Sequence, residues 1–242
     1  MPRRLVLVST VLAILVLATL VVLLRDDSDP VVLPGPTGER APKGLASFYH
    51  QEPRWTSCGA YRCTRVRVPL DYARPQGATV RLSVRMLRAG DGDTDRLLFV
   101  NPGGPGGSAV EYVAVFAELM SPAMRRGLSL VGVDPRGVGT SQALECVDAD
   151  RLDAYLDHDA TPDDPREESV LTDSSRKLAD ACARESGAIS GHMSTQESAR
   201  DLDVVRAVLG QRRLDYYGAS YGTQLGATYA DRFPEHAGRL VL

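Results

Sequence analysis

Gly218-Ala219-Ser220-Tyr221-Gly222 constrains this chain more than any other stretch. It fits G-x-S-x-G and lies between residues 214–217, which read as a strand, and residues 221–232, which read as a helix stopped by Pro234. A serine exposed on so tight a turn needs small residues two positions before and two after it. A helix that begins at once points its first amide at negative charge developing beside the serine. The pattern alone recurs by chance. Its place at a strand-to-helix junction sets it apart from a glycine-rich packing turn.

Asn101-Pro102-Gly103-Gly104-Pro105-Gly106-Gly107 is the second signal. It follows a short apolar strand, residues 97–100, and glycine lets a backbone N–H approach a ligand closely. A phosphate loop is the rival reading. However, G-x-x-x-x-G-K-[ST] is absent and G-x-G-x-x-G does not fit. An oxyanion-binding loop fits better, with the amide of Gly104 as one donor and that of Tyr221 as the other.

Further elements follow from periodicity. Residues 66–69 and 79–87 read as strands. In the second, Val80, Leu82, Val84 and Met86 share one face, and Arg81, Ser83 and Arg85 the other. Residues 108–119 read as a helix and 128–133 as a buried strand. Residues 196–209 read as an amphipathic helix capped by Thr195, stopped by Gly210, with Leu202, Val205 and Leu209 inward. Residues 238–242 begin another strand. Residues 142–194 are polar and irregular with one helical stretch, 169–185, and read as a surface excursion. Strand and helix in alternation predict an α/β fold around a mainly parallel sheet. With 28 basic and 31 acidic residues, the formal charge of −3 argues against a nucleic-acid partner.

The N-terminus is of another physical class. Arg3 and Arg4 precede an apolar run over residues 5–24, whose helical length of roughly 30 Å matches a bilayer core. No small-residue cleavage site follows, so residues 1–25 read as an uncleaved signal-anchor, with a long cleaved signal as the alternative. The positive-inside rule puts the remainder outside. Residues 26–44, rich in proline and aspartate, read as a disordered tether, so the globular part is expected over 45–242. Cys58, Cys63, Cys146 and Cys182 then lie where disulfides persist. The local pairings Cys58–Cys63 and Cys146–Cys182 are expected, with buried free thiols as the alternative. The cysteine spacing does not suit a metal, and no cofactor is expected.

Three motifs occur in register. They are residues 101–108, residues 132–141 (Gly-Val-Asp-Pro-Arg-Gly-Val-Gly-Thr-Ser) and residues 217–222. Together they resemble the α/β-hydrolase fold, and most closely the exported tripeptidyl aminopeptidases and their proline iminopeptidase relatives. Trp55, Cys58, Cys63 and residues 66–72 also match the opening segment of that exported group. The resemblance covers residues 45–242. It implies a serine hydrolase acting on peptide substrates, removing short peptides or single residues from their N-termini. Ser220 would be the nucleophile, Gly104 and Tyr221 the oxyanion donors, and Asp134 and Arg136 structural.

The resemblance also exposes a departure. The family's triad runs Ser, then Asp or Glu, then His. After Ser220 the chain holds only Asp231, Glu235 and His236 as candidates, and a helix over 221–232 would carry His236 about 18 Å away. His192 opposes the family's chain order, and His50 and His158 offer nothing. The triad Asp and His are therefore expected to be missing, with this chain the N-terminal half of a hydrolase and inactive alone. A degenerate non-catalytic remnant and an esterase or lipase are the competing readings. Asp201 and Asp203 read as solvated or capping charges on their helix.

Overall fold

The structure, a computed structural model, describes residues 33–89 and 96–242. The expected membrane segment, residues 1–25, and residues 26–32 of the expected tether lie outside the described residues. Among the described residues, no helix is long and apolar enough to cross a membrane.

Seven strands form one sheet: β1 (Thr56–Cys58), β2 (Tyr61–Pro69), β3 (Thr79–Leu87), β4 (Leu97–Asn101), β5 (Ser129–Val133), β6 (Leu214–Gly218) and β7 (Ala237–Val241). Their order is β1-β2-β3-β5-β4-β6-β7. Strands β1 to β3 pair antiparallel and β3 joins β5 antiparallel. From β5 through β4 and β6 to β7 all pairs are parallel. Strand β3 buries Val80, Leu82, Val84 and Met86, as its alternation predicts. Strands β4 and β5 are apolar apart from Asn101 and Ser129 at one end of each, and nearly every residue is buried, as in strands covered on both faces.

Among the described residues are seven helices: α1 (Ala46–Tyr49), α2 (Ala109–Leu119), α3 (Pro122–Arg126), α4 (Ala149–Leu156), α5 (Pro165–Glu185), α6 (Thr195–Val208) and α7 (Tyr221–Arg232). Neighbouring residues of β6 show the two faces. Tyr217 packs its ring 4.6 Å from that of Phe116 on α2, whereas Tyr216 donates its hydroxyl to the Gly222 carbonyl of α7. Two boundaries differ from expectation. The cap of α6 is Ser194, not Thr195: its hydroxyl accepts from the Glu197 N–H while the Glu197 carboxylate accepts from the Ser194 N–H. The excursion over 142–194 holds α4 as well as α5, which starts at Pro165 behind an Asp164 cap. Of these helices only Ala181 is buried, and the expected stretch over 169–185 is the C-terminal part of α5. Both expected disulfides, Cys58–Cys63 and Cys146–Cys182, are formed.

The expectation of a disordered tether through residue 44 is corrected. Thr37 donates its amide to the Ala207 carbonyl, and Trp55 donates its indole N–H to the Pro34 carbonyl. Glu39 binds the Arg206 guanidinium through both oxygens, at 2.5 and 3.0 Å. Proline content hid this, because the anchor is one ion pair and not an apolar stripe. Asp201 and Asp203 are also not solvated: they are 2% and 0% exposed. Asp203 accepts from Arg206, Tyr49 and Tyr229 and lies 2.8 Å from His236 Nδ1. Asp201 takes both forks of Arg136, at 2.7 and 2.8 Å, and the Tyr72 hydroxyl.

Two outcomes follow for stability. Removing one partner of a buried pair leaves an uncompensated charge, so Arg136→Met is expected to cost about 3–5 kcal/mol in denaturant unfolding. Burial alone would raise the Glu39 and Asp203 carboxyls, but hydrogen bonds and charge from Arg206 hold both below their ordinary values of 4.5 and 3.8. A depressed carboxyl stabilises the fold above its ordinary pKa and loses that contribution as pH falls through the lower, folded value. Thermal midpoints are therefore expected to hold down to about pH 5 and to fall below about pH 4. Arg206→Met should flatten that acid limb.

Candidate active site

Strand β6 ends at Gly218 and α7 begins at Tyr221, leaving a two-residue elbow. Ser220 occupies it with φ 52° and ψ −125°, a left-handed-side conformation that a non-glycine residue adopts only when its surroundings impose it. What imposes it is crowding on both sides. A side chain at Gly218 would meet the Gly222 carbonyl at 2.3 Å, and one at Gly222 would meet the Asn101 carbonyl at 2.9 Å. The two motif glycines thus let strand, elbow and helix touch. Ser220 itself is exposed, and among the described residues its hydroxyl makes no hydrogen bond.

The loop after β4 closes on the elbow from the other side. A Cβ on Gly103 (φ +90°) would lie 2.4 Å from the Ala219 carbonyl and 3.0 Å from the Ser220 Cβ. Asn101 holds both parts. Its carbonyl accepts from the Ala219 N–H at 3.0 Å, and its side-chain oxygen accepts from the Gly103 N–H at 2.9 Å. Asn101 is buried and was named in the sequence only as the start of the loop. A polar residue ending an apolar strand, just before glycines, is the signal that marks it. Because the Gly103 amide is committed, the next one, Gly104, is the loop amide left over; among the described residues it makes no hydrogen bond. The Tyr221 N–H, at the helix start, has no intrahelical acceptor. The Tyr221 hydroxyl is 2.7 Å from Thr195 Oγ1, which ties the elbow to α6.

Asp134 and Arg136 frame the edge without touching Ser220. Asp134 Oδ1 accepts from the Ser108 hydroxyl and the Val110 N–H, fixing the start of α2. A side chain at Gly139 would meet Asp134 Oδ2 at 2.4 Å, so that turn needs glycine. Arg136 also donates to the carbonyls of Pro69, Leu70 and His192. Burial works against its charge, but Asp201 outweighs it and holds the guanidinium above its ordinary pKa.

None of the histidines stands at the serine. The Leu214 N–H donates to the His236 carbonyl, so His236 lies at the opposite end of β6, about 15 Å from the elbow. His192 accepts from Arg136 through its carbonyl and makes no hydrogen bond with Ser220 among the described residues. Its ring is already bound to Glu197 at 2.8 Å. His50 lies against the Glu39 carbonyl, and His158 belongs to the excursion.

The described residues thus define an α/β hydrolase core with a tight serine-bearing elbow between β6 and α7. Residues 96–242 match the α/β-hydrolase fold family model, and the chain belongs to that family. It is 37% identical over 199 residues to a tripeptidyl aminopeptidase of Streptomyces lividans, covering 78% of this chain and 37% of that protein. It is 33% identical over 207 residues to the serine protease Hip1 of Mycobacterium tuberculosis, covering 79% and 39%. It is 38% identical over 201 residues to a carboxylesterase B of the same organism, covering 78% and 38%. The chain therefore spans well under half the length of these relatives. Among solved structures it resembles a proline iminopeptidase of Mycobacterium smegmatis, at 22% identity and TM-score 0.42, covering 73% of this chain and 42% of that one.

The close approach gives a direct test. Gly103→Ala must push apart the loop and the elbow and is expected to lower stability by about 2–3 kcal/mol. Gly106→Ala, which also has positive φ but open space around it, is expected to cost about 1 kcal/mol. Chemical denaturation of the two variants checks the order.

Proposed function

We propose that Ser220 is the nucleophile of an exported serine hydrolase that releases short peptides from the N-termini of peptide substrates. The observation that carries this reading is the elbow itself: an exposed, unbonded hydroxyl held at positive φ against a glycine loop. In this scheme the Ser220 Oγ attacks the scissile carbonyl as a base takes its proton. The carbonyl oxygen, now negative, settles between the Gly104 and Tyr221 amides. Collapse expels the amine, which receives that proton, and water then hydrolyses the acyl-enzyme. The relatives named tripeptidyl aminopeptidase and serine protease support a peptide substrate. The relative named carboxylesterase B keeps an ester substrate as the second reading.

A hydroxyl without a base is a weak nucleophile. Because no described histidine reaches Ser220, this reading draws the triad acid and histidine from outside these 242 residues. It also reads residues 5–24 as the export signal and membrane anchor. The chain alone is expected neither to hydrolyse a tripeptide amide nor to react with a fluorophosphonate probe. A longer form of the protein is expected to be labelled at Ser220, with Ser220→Ala lowering kcat at least about 10⁴-fold. Comparing a tripeptide amide with a short-chain ester in that form separates the two substrate readings. Turnover by this chain alone, lost in Ser220→Ala, would show that the base is already present.

A further inference from the structure

The outer face of β2 and β3 carries a charge pattern that the hydrolase chemistry does not use. Residues directly opposite in this antiparallel pair include Arg67 with Arg81, Arg65 with Ser83 and Cys63 with Arg85. Four arginines therefore share one face, and Arg54, beside β1, adds a fifth. They line an open groove of about 680 Å³ whose lining includes one carboxylate, that of Glu52. Like charges placed directly across a strand pair destabilise it, and the chain as a whole is net negative at −3. Among the described residues, Glu52 is the one carboxylate set against these five arginines in the groove lining. The guanidinium groups of Arg54, Arg65 and Arg81 have no ion pair or hydrogen bond among the described residues. Arg67 lies 5.4 Å over Phe48; Arg85 lies 5.1 Å over Tyr61 and donates Nη1 to the Val110 carbonyl at 3.1 Å, contacts that orient both without neutralising them. Arg85 Nε is buried in the groove wall and has no partner.

The place of this groove in the chain narrows the occupant. Glu52 reaches Gly35, and Trp55 binds the Pro34 carbonyl, so the chain joins the described domain beside the groove. The eight residues between Arg25 and Pro34 make nine Cα steps, which reach at most about 30 Å. If residues 5–24 sit in a bilayer, this face is confined within that reach of lipid headgroups. We propose that the arginine face of β2 and β3 docks on the phosphate groups of an anionic phospholipid surface, and so orients the domain on the membrane. This rests on the membrane-anchor part of the reading above. A cluster of guanidinium groups suits it, since each offers paired donors to phosphate oxygens.

The test uses the full chain in lipid nanodiscs, either zwitterionic or containing about a third phosphatidylglycerol. Arginines are modified with phenylglyoxal and read by peptide mass spectrometry. Docking predicts that Arg54, Arg65 and Arg81 are modified several-fold more slowly in the anionic discs, with the difference lost at 0.5 M salt. Arg74, exposed and paired with Asp71, should react equally in both. Arg65→Glu with Arg81→Glu, two exposed positions, should abolish the difference while leaving the disulfides and the circular dichroism unchanged. Equal reactivity in the two discs overturns the proposal. So does full protection in zwitterionic discs that disappears on changing Asp26, Asp27 and Asp29 to Asn, which would make the acidic segment the occupant. Equal protection by inorganic phosphate in zwitterionic discs also overturns it, by showing a small-anion pocket. Failure of the chain to be retained by either disc defeats the anchor instead. Vesicle flotation then decides: binding to anionic vesicles alone upholds the docking face, and binding to neither kind overturns it.

Discussion

Asn101 joins the two pieces of backbone on which the site depends. Its carbonyl holds the elbow through Ala219, and its side chain holds the loop through Gly103. Everything else at the site follows from the closeness this imposes. Because a Cβ on Gly103 would lie 2.4 Å from the Ala219 carbonyl oxygen, only glycine fits there. With the Gly103 amide already bonded, the next amide along is the one left over. The strain at Ser220, of order 1–3 kcal/mol for a non-glycine residue in this region, persists because strand, helix and loop over-determine its position.

Behind this edge, the fold is clamped by charge as well as by packing. Helix α6 is buried on nearly all sides and presents Asp201 and Asp203 about 200° apart around its axis, and each meets an arginine. Arg136 arrives from the turn after β5 and gathers the ends of β2 and α6 through the carbonyls it binds. Arg206 gathers the N-terminal strap and the start of β7 through Glu39 and His236. Buried ion pairs contribute little net stability against an apolar substitute, yet breaking one is expensive. Their effect here is positional: two distant segments must reach α6 before either carboxylate is satisfied.

Legibility in the sequence tracked how local each feature is. The elbow, the glycine loop and the alternation of β3 are written in five to ten consecutive residues, and each stands where its pattern put it. Helix α7 begins and ends where its glycine and proline neighbours dictate. The buried carboxylates were misread because Asp201 and Asp203, taken alone, look like any charged pair near a helix start. Their partners lie 65 residues earlier for Asp201 and, through Tyr49, 154 residues earlier for Asp203. The strap over residues 34–44 failed for the same reason, since proline and glycine speak against regular structure but not against one ion pair. Most of α5 reads as helix over 169–185; α4 and the first turn of α5 begin at the caps Asp148 and Asp164, which periodicity does not register.

The same contrast separates the two sets of arginines. Arg136 and Arg206 are buried and fully partnered, so the fold itself accounts for them. Arg65, Arg67 and Arg81 occupy strand positions that any neutral β-former would fill with less repulsion. The contact of Arg67 with Phe48 gives no reason for a second arginine, Arg81, directly across from it. A sequence that solves burial so completely on α6, and leaves like charges facing one another on β2 and β3, assigns that face to something outside the domain. Its nearness to Pro34 makes lipid phosphate the occupant that requires the fewest further contacts.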